Sequence, residues 1–344
     1  MKLKKKFFLI FILLILMGGL VGFNLYNKIY TPNVTKQGFL YIPTDSNFND
    51  VKKLVSPFLK KIKPFIWVAN RKNYPNVIKP GKYQIKKGMT NNDLVNLLRS
   101  GKQTTVKLSF NNQDTFEKLA GRISSQIEAD SISLLNAFTN LNFINNAGFD
   151  TNNCMAMYIP NSYEFYWNTS AEGFRKRMLA EYSKFWTTNR IQKAAKLKLS
   201  KTDVITLASI VQKETSNIPE RPIVAGLYLN RLNDKWPLQA DPTIIFALKQ
   251  QLKSDVVIKR VLTKDLDINS PYNTYKHTGL PPGPISMPDI SSIDAVLNAE
   301  KHNYYYMCAS TTHFGKHKFA KTLSQHNRNA RTYQNWINKQ GINR

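Results

Sequence analysis

An uninterrupted apolar stretch near the start of the chain, residues 7–23, restricts its fold more than any other feature. It reads FFLIFILLILMGGLVGF, and Leu25 and Tyr26 continue it beyond Asn24. A helix crosses a bilayer with about 17–25 such residues. Four lysines precede the stretch, which places the N-terminus in the cytoplasm by the positive-inside rule. Residues 1–27 are therefore predicted to anchor the chain in the cytoplasmic (inner) membrane by a single pass, with everything after them outside the cytoplasm.

A cleaved signal peptide is the alternative for this segment. Its apolar part would span about 7–15 residues and would lead to a small-x-small cleavage site. After Phe23 the chain continues NLYNKIYTPNV, which holds no Ala-x-Ala motif. The sequence therefore favours an anchor that stays attached to the membrane through residues 7–26.

The chain is strongly basic, with 49 Lys and Arg against 22 Asp and Glu in 344 residues. Residues 1–28 contribute five lysines and no acid, which leaves a net charge of +22 on the other 316 residues. A charge of this size indicates an anionic partner. Because this part is predicted to lie outside the cytoplasm, lipid headgroups and cell-wall polymers fit, and nucleic acid does not.

The composition supports a packed core and excludes a disulfide scaffold. Hydrophobic residues make up 42% and aromatic residues 12% of the chain, which is typical of folded proteins. Two cysteines, Cys154 and Cys308, are too few for a multi-cysteine zinc module, and their spacing leaves open whether they pair.

A small α+β module is predicted over residues 38–105, after a stalk at residues 28–37. Residues 38–42 (GFLYI) and the alternation at residues 83–85 indicate strands, whereas the apolar spacing over residues 48–62 indicates an amphipathic helix.

A second helix of this module has clear start and stop signals. Thr90 and Asp93 form a capping box, and Gly101 is a typical stop residue. The order of strands and helices resembles a LysM module, which binds wall glycan. A plain positioning role is the alternative, because many small α+β units share this order.

A connecting α/β region is predicted over residues 106–157, ahead of a mixed α+β catalytic domain at residues 158–344. The aromatic stretch 158–168 indicates an irregular loop or an edge strand. The remaining predicted elements are a strand at 104–110 and helices at 115–128, 131–141, 170–189 and 190–198.

One helix carries an acid in an unusual place. Ser200 and Asp203 form a capping box before VITLASIVQKET. Glu214 follows Leu207 by seven residues and therefore lies on the apolar stripe of this helix, in its last turn. Burial and the negative end of the helix dipole both raise a carboxyl pKa, which suits a group that protonates a glycosidic oxygen. A structural Glu paired with an Arg, such as Arg231, is the alternative.

Six segments around and beyond this helix form an ordered series of motifs: YIPNSYEFYWNTSAEGF (158–174), LASIVQKET (207–215), RPIVAGLYLNRL (221–232), WPLQADPTIIFAL (236–248), SPYNTYKHTGLPPGPISMPDISSIDAVLNA (270–299) and YYYMCA…GKHKFAKTLSQHN (304–327). In these motifs the chain resembles the YceG-like family, the MltG endolytic murein transglycosylases. Asn161 and Ser162 stand where the family usually has Asp-Thr, and Gln212 replaces a frequent Glu. Gln212 leaves Glu214 as the only acid in the last turn of the helix.

This resemblance implies a lytic transglycosylase that cuts the MurNAc-GlcNAc β-1,4 bond inside nascent glycan strands. Glu214 would protonate the leaving oxygen and then take the proton of the muramoyl C6 hydroxyl, which leaves a 1,6-anhydro end without water, metal or cofactor. Implied partners are the nascent peptidoglycan strand, penicillin-binding proteins and other wall synthases.

Two segments supply the predicted substrate-binding residues. Pro242 keeps Asp241 out of the helical region, so Asp241 either caps a helix over 243–249 or stabilises the oxocarbenium-like state. The second segment is a Gly/Pro-rich loop that is expected to line the cleft, with a structural turn as the alternative. The predicted contacts are Gln239, Asp241 and Thr243 in the first segment and Tyr272, Asn273 and Tyr275 in the second.

Other function classes fit the sequence less well. A hydrolytic muramidase would use two carboxylates, and no acid pair is expected at Glu214, the only acid in the last turn of its helix. A non-catalytic wall-binding scaffold would not need Glu214. His313 and His317 have a spacing that zinc sites use on helices, but Gly315 between them indicates a hairpin, so His317 and His326 are expected to orient loops.

Overall fold

The computed structural model describes residues 2–252, 257, 258 and 260–339, so the end of the predicted catalytic domain, residues 340–344, lies outside it. The chain forms two compact units. The first holds the chain up to Leu108 with Ser125–Ala129 and Tyr163–Ser170. The second holds Ser109–Ser124, Asp130–Ser162 and the chain from Ala171 onward. The predicted mixture of helices and small sheets behind an apolar N-terminal helix is confirmed, whereas the likeness to LysM stays a prediction.

The first unit begins with a helix that, by length and composition, could cross a membrane over Lys4–Tyr30. A strand, two helices, a second strand and a third helix follow. The elements are α1 (Lys2–Tyr30), β1 (Gly38–Ile42), α2 (Phe48–Val55), α3 (Ile62–Arg71), β2 (Gly81–Ile85) and α4 (Asn91–Ser100).

Strands β1 and β2 pair antiparallel, with Gly38 opposite Ile85 and Ile42 opposite Gly81. The capping box of α4 and its stop at Gly101, which adopts a left-handed φ of 73°, form as predicted. The single helix expected over 48–62 is wrong, because the chain breaks into α2, a 3₁₀ turn at Ser56–Phe58, and α3. Pro57 lies in that turn and has no N–H to continue the α-helix.

The end of α1 packs onto this module. The Lys28 carbonyl accepts a 2.8 Å hydrogen bond from the Asn91 amide, and Ile29 packs against the core. The following residues also pair with the module, because Pro32 bridges Thr90 and Val34 bridges Leu59. Much of the segment predicted as a stalk, residues 28–37, is therefore held against the module.

The second unit is mainly helical, and its boundaries differ from the sequence predictions by a few residues. The two helices predicted over 115–128 and 131–141 both end early, at Ser124 and Phe138. The helices are α5 (Phe116–Ser124), α6 (Ser131–Phe138), α7 (Leu141–Asn146), α8 (Ala171–Phe185), α9 (Thr188–Lys196), α10 (Lys201–Glu214), α11 (Arg221–Asn233), α12 (Asp241–Leu252), α13 (Ile290–Leu297) and α14 (Leu323–Lys339).

Short strands complete the fold. The predicted C-terminal hairpin forms from β5 (Tyr306–Ala309) and β6 (His317–Ala320), which pair antiparallel. Two further short strands, β3 (Val106–Phe110) and β4 (Asn161–Phe165), pair with each other.

Helix α10 is the core of the second unit. Every residue from Val204 to Gln212 is buried, so this helix has no solvated face along that stretch. Its N-terminal capping box, Ser200 with Asp203, forms as predicted. The helix packs on α11, α12 and α13 and ends at Glu214, where the chain leaves the core.

Candidate active site

A cleft of about 400 Å³ opens in the second unit at the C-terminal end of α10. Side chains from α10, α11, the start of α12, the loops that carry Gln239 and Tyr275, the β5–β6 hairpin and α14 meet there. The lining residues are Glu214, Leu227, Tyr228, Arg231, Gln239, Asp241, Tyr275, Tyr306, Met307, Cys308, Ala309, His317, Leu323 and His326.

Glu214 is largely buried in this cleft, and a neutral phenol holds its carboxyl. Tyr228 on α11 donates a 2.6 Å hydrogen bond to Glu214 Oε1. Burial raises the pKa of Glu214 to about 7, against the lowering effects of the Tyr228 hydrogen bond and the His317 charge. At neutral pH the carboxyl is therefore divided between its acid and its base form, as a group that gives and retakes a proton requires.

A second carboxyl lies in the same cleft. Tyr275 donates a 2.6 Å hydrogen bond to Oδ1 of Asp241, the first residue of α12. The charge of Asp241 raises the pKa values of both Glu214 and Tyr275. The expectation that Glu214 has no acid to pair with is wrong, because the fold brings Asp241, 27 residues further along the chain, into the same cleft.

Gln239 also lines the cleft, on a strained stretch of backbone. Its φ is +50°, a left-handed conformation that costs a residue other than Gly about 1–3 kcal/mol. Thr274 holds the backbone on both sides: its carbonyl accepts from the Gln239 N–H at 3.0 Å, and its hydroxyl accepts from the Ala240 N–H at 3.0 Å. Strain that the surroundings enforce in this way is common at functional sites.

Three of the predicted substrate-binding residues do not line the cleft. Thr243 is fully buried, and its hydroxyl bonds the Ala240 carbonyl and the Thr274 hydroxyl. Asn273 is also fully buried and donates to the carbonyls of two loop residues. Tyr272 packs on Phe246, with ring centres 4.6 Å apart, and lines a separate cavity of about 680 Å³. Their hydrogen bonds and packing hold the two segments that carry Gln239, Asp241 and Tyr275.

Arg231 has a role that differs from the sequence interpretation, whereas His317 has the expected one. Arg231 does not pair with a buried carboxylate; it donates to the carbonyls of Tyr305 at 2.8 Å and Leu238 at 2.6 Å, which positions the chain on either side of the cleft. His317 orients a loop as expected, because its Nδ1 forms a 2.8 Å hydrogen bond with the buried Glu220 carboxylate. Its ring also faces the cleft.

Tyr228 was missed by sequence reasoning. It lies 14 residues after Glu214, and only the packing of α11 against α10 joins the two side chains. The one signal available was the i, i+3 spacing of Tyr228 and Arg231, which places both on one face of α11.

Neither a metal-binding cluster of side chains nor a disulfide is found among the residues that the structure describes. They hold no cluster of three or more His, Cys, Asp or Glu side chains, and Cys154 and Cys308 are both free thiols.

A buried carboxyl with its pKa raised to about 7, in a cleft that also holds a second carboxyl and two phenols, is typical of one class of protein, the acid–base enzymes. The comparison with known sequences makes the assignment specific: residues 40–332 match the YceG-like family, and the chain belongs to that family. The prediction of this family from the sequence motifs is confirmed.

Curated relatives carry one shared name. The chain is 28% identical to the endolytic murein transglycosylase of Bacillus subtilis, over 85% of this chain and 83% of that protein. It is 26% identical to the endolytic murein transglycosylase of Streptococcus pneumoniae strain D39, over 95% of this chain and 64% of that longer protein.

A solved structure agrees with the family assignment. The 2.6 Å crystal structure of a YceG-like protein from Listeria monocytogenes matches 85% of this chain and 98% of its own, at 27% identity and a TM-score of 0.56. The family and these relatives confirm the prediction that the chain is an enzyme.

Proposed function

We propose that the chain is a membrane-anchored endolytic lytic transglycosylase of peptidoglycan, with Glu214 as its acid and base. The observation that supports this most is the Glu214 carboxyl, held by Tyr228 in a cleft with its pKa raised to about 7. The names of the relatives, endolytic murein transglycosylases, supply the substrate class.

The reaction needs one group that first gives and then takes a proton. Protonated Glu214 donates to the oxygen between MurNAc C1 and GlcNAc C4, the C1–O bond breaks, and the GlcNAc O4 hydroxyl leaves. The C6 hydroxyl of the same MurNAc then attacks C1, and the Glu214 carboxylate accepts its proton. The product carries a 1,6-anhydro ring, no water is consumed, and Glu214 ends protonated as it began.

The other cleft residues have supporting roles in this proposal. Tyr228 donates its hydrogen bond to Glu214 Oε1, so the other carboxyl oxygen, Oε2, is the one that contacts the substrate. The Asp241 carboxylate, fixed by Tyr275, stabilises the positive charge that develops on the sugar ring. Gln239 is exposed and offers its amide to sugar hydroxyls or acetamido groups.

Hydrolysis by a muramidase is the second candidate function, and the presence of Asp241 in the cleft favours it. Glycosidases that hydrolyse their substrate use two carboxyls, one as the acid and one as the nucleophile or the base for water. If Asp241 performs that second role, Asp241→Asn should lose activity as completely as Glu214→Gln. If Asp241 only stabilises the sugar cation, Asp241→Asn should retain slow cleavage with anhydro products.

Cleavage inside strands is tested by the length of the products. Long uncrosslinked glycan strands, incubated with the purified enzyme, should yield oligosaccharides of several disaccharides. Release of mainly single disaccharides from strand ends would contradict endolytic cutting. We expect the natural substrate to be the nascent strand near the membrane, next to penicillin-binding proteins and other wall synthases.

The anchor is proposed from α1, with the N-terminus in the cytoplasm and both units outside. Its apolar residues should hold the protein in the membrane fraction at high salt, because salt screens charges within about 10 Å at 0.1 M but does not weaken burial in lipid. Extraction by salt alone, without detergent, would contradict the anchor. A tag at the N-terminus that is accessible from outside intact cells would contradict the orientation.

A further inference from the structure

A pocket of about 340 Å³ lies in the first unit, where the end of α1 packs against α3. Its floor is apolar and its rim is basic. The lining residues are Leu25 and Ile29 of α1, Trp67, Val68 and Arg71 of α3, and Lys72 after it.

The length of α1 fixes the depth of this pocket, if the helix spans the membrane as proposed above. Residues Phe7 to Tyr26 number 20, which makes about 30 Å of helix at 1.5 Å per residue. The hydrocarbon core of a bilayer is also about 30 Å thick. Lys28 and Ile29 therefore emerge at the level of the headgroups, and Tyr26, Tyr30 and Trp67 are the aromatic residues expected at that level.

Two cations lie over the indole ring of Trp67, and a third, Lys72, lines the same pocket. Lys28 Nζ lies 5.6 Å and Arg71 Cζ 5.4 Å from the ring centre. Lys72 Nζ donates to the amide oxygens of Asn92 and Asn96, both at 2.6 Å, and neither of these carries a charge. Within the part of the chain that the structure describes, none of the three cations forms an ion pair with a carboxylate.

The surrounding sequence offers few acids to neutralise them. Residues 29–108 hold 15 Lys and Arg, but only three acidic residues, Asp45, Asp50 and Asp93. Two of these acids cap the helices α2 and α4. An anion from outside the protein is thus the natural counter-charge for the rim of the pocket.

We propose that this pocket binds an anionic phospholipid of the bilayer in which α1 is embedded. The phosphate contacts Lys28, Arg71 and Lys72, and the first methylenes of the lipid lie on Leu25, Ile29 and Val68. A free phosphate would meet only the cations, whereas a lipid also covers the apolar floor. The bound lipid fixes the first unit at the outer surface of the membrane.

Quenching of Trp67 fluorescence measures this contact directly. The full-length protein is reconstituted in phosphatidylcholine vesicles that contain either brominated phosphatidylglycerol or brominated phosphatidylcholine at equal mole fraction. The signal of Trp67 is the difference between the wild type and Trp67→Phe. We expect quenching by the anionic lipid to exceed quenching by the neutral lipid several-fold, at salt concentrations near 0.1 M.

Substitution of one rim cation should remove most of this preference. Arg71→Gln is expected to lower the enrichment of the anionic lipid about fivefold, which corresponds to about 1 kcal/mol per cation near an anionic surface. Lys53→Gln on α2 removes the same charge from the same unit outside the pocket and should leave the preference unchanged. Glycan cleavage by Arg71→Gln should equal that of the wild type, which shows that the variant folds.

Two results would overturn the inference. Equal quenching by the two brominated lipids, in protein that floats with the vesicles and cleaves glycan, would contradict the lipid site and leave the proposed function intact. Loss of the preference on addition of inorganic phosphate at millimolar concentration, at constant ionic strength, would identify a site for a free anion instead of a lipid. Failure to float with vesicles would contradict the anchor and the lipid site together.

Discussion

The Glu214 cleft and the Tyr272 cavity of the second unit hold their carboxyls in different ways. In the cleft, the partners of Glu214 and Asp241 are the neutral phenols of Tyr228 and Tyr275. In the Tyr272 cavity, Asp114 pairs at 2.6 Å with the ammonium of Lys213, the residue next to Glu214 on α10.

The difference lies in the charge of the partner. The partner of Asp114 carries a full positive charge, which makes that contact an ion pair. A phenol donates a hydrogen bond and brings no charge, and beside the phenol of Tyr228 burial raises the pKa of Glu214 to about 7. Lys213 of α10 therefore takes part in a structural ion pair, whereas its neighbour Glu214 lies in a site suited to proton transfer.

The largest effect is expected from Glu214→Gln, which keeps the shape of the side chain but cannot exchange a proton. Cleavage of glycan strands should fall by a factor of about 10²–10⁴, the usual contribution of a general acid–base group. Asp114→Asn makes the same change beside the other cavity. It should alter the rate by less than about fivefold, because a partly exposed ion pair contributes about 1 kcal/mol or less. Equal losses of cleavage rate in Glu214→Gln and Asp114→Asn would contradict the claim that Glu214 takes part in the reaction and Asp114 does not.

Glu214→Gln should also stabilise the protein at neutral pH. The folded state raises the pKa of Glu214 from 4.5 to about 7, so folding is favoured by the protonated form. Relative to the variant, the free energy of unfolding of the wild type therefore falls as the pH rises from about 4.5 to about 7. The total fall is at most about 3 kcal/mol, and the difference between the two proteins stays constant above pH 7. Urea unfolding at pH 4 and pH 8 measures it, and a pH-independent difference between wild type and variant would contradict the raised pKa.

Thr243→Val tests the structural role given to one of the predicted substrate contacts. The variant removes the buried hydrogen bonds of the Thr243 hydroxyl to the Ala240 carbonyl and the Thr274 hydroxyl, each of which keeps one other partner. At about 0.5–1.5 kcal/mol for each bond, the loss should cost about 1–3 kcal/mol of stability. KM of the folded enzyme should stay near that of the wild type. Thr332→Val removes a similar hydroxyl at an exposed position of α14 and should cost less. A raised KM with unchanged stability would return Thr243 to the substrate-binding residues.

Tyr228→Phe should give the smallest effect, a shift of the pH profile. The phenol donates to the ionised form of Glu214 and so lowers its pKa, and its loss should raise that pKa further above about 7. The rate depends on protonated Glu214, so the decline of kcat/KM on the alkaline side should move to higher pH. Tyr83→Phe in the first unit also loses a hydrogen bond and should leave the profile unchanged. A shift to lower pH in Tyr228→Phe would contradict the assigned hydrogen bond.

Local signals in the sequence predicted the elements that position the site. The capping box at Ser200 and the periodicity up to Glu214 depend on residues within a few turns, so the start and the end of α10 could be predicted. The β5–β6 hairpin could be predicted equally well, because Gly315 lies at its turn with a left-handed φ of 74°. The break of the predicted helix at Pro57 could also have been predicted, since proline has no N–H to donate.

Burial and tertiary contacts could not be predicted in the same way. Asn273 and Tyr275 lie two residues apart in a loop rich in Gly and Pro, and both looked suited to sugar binding. The fold buries Asn273 completely and places Tyr275 in the cleft. Tyr228 and Asp241 reach Glu214 only through the packing of α11 and α12 on α10, which sequence spacing does not reveal.

Cleavage in water enriched in ¹⁸O tests the central claim that Glu214 closes a 1,6-anhydro ring without water. The products of long glycan strands are analysed by mass spectrometry. The account predicts new ends that lack one water relative to reducing ends and carry no ¹⁸O. New reducing ends with one ¹⁸O at MurNAc C1 would show that water attacks, with Asp241 as the second carboxyl of a hydrolase, and would contradict the transglycosylase mechanism.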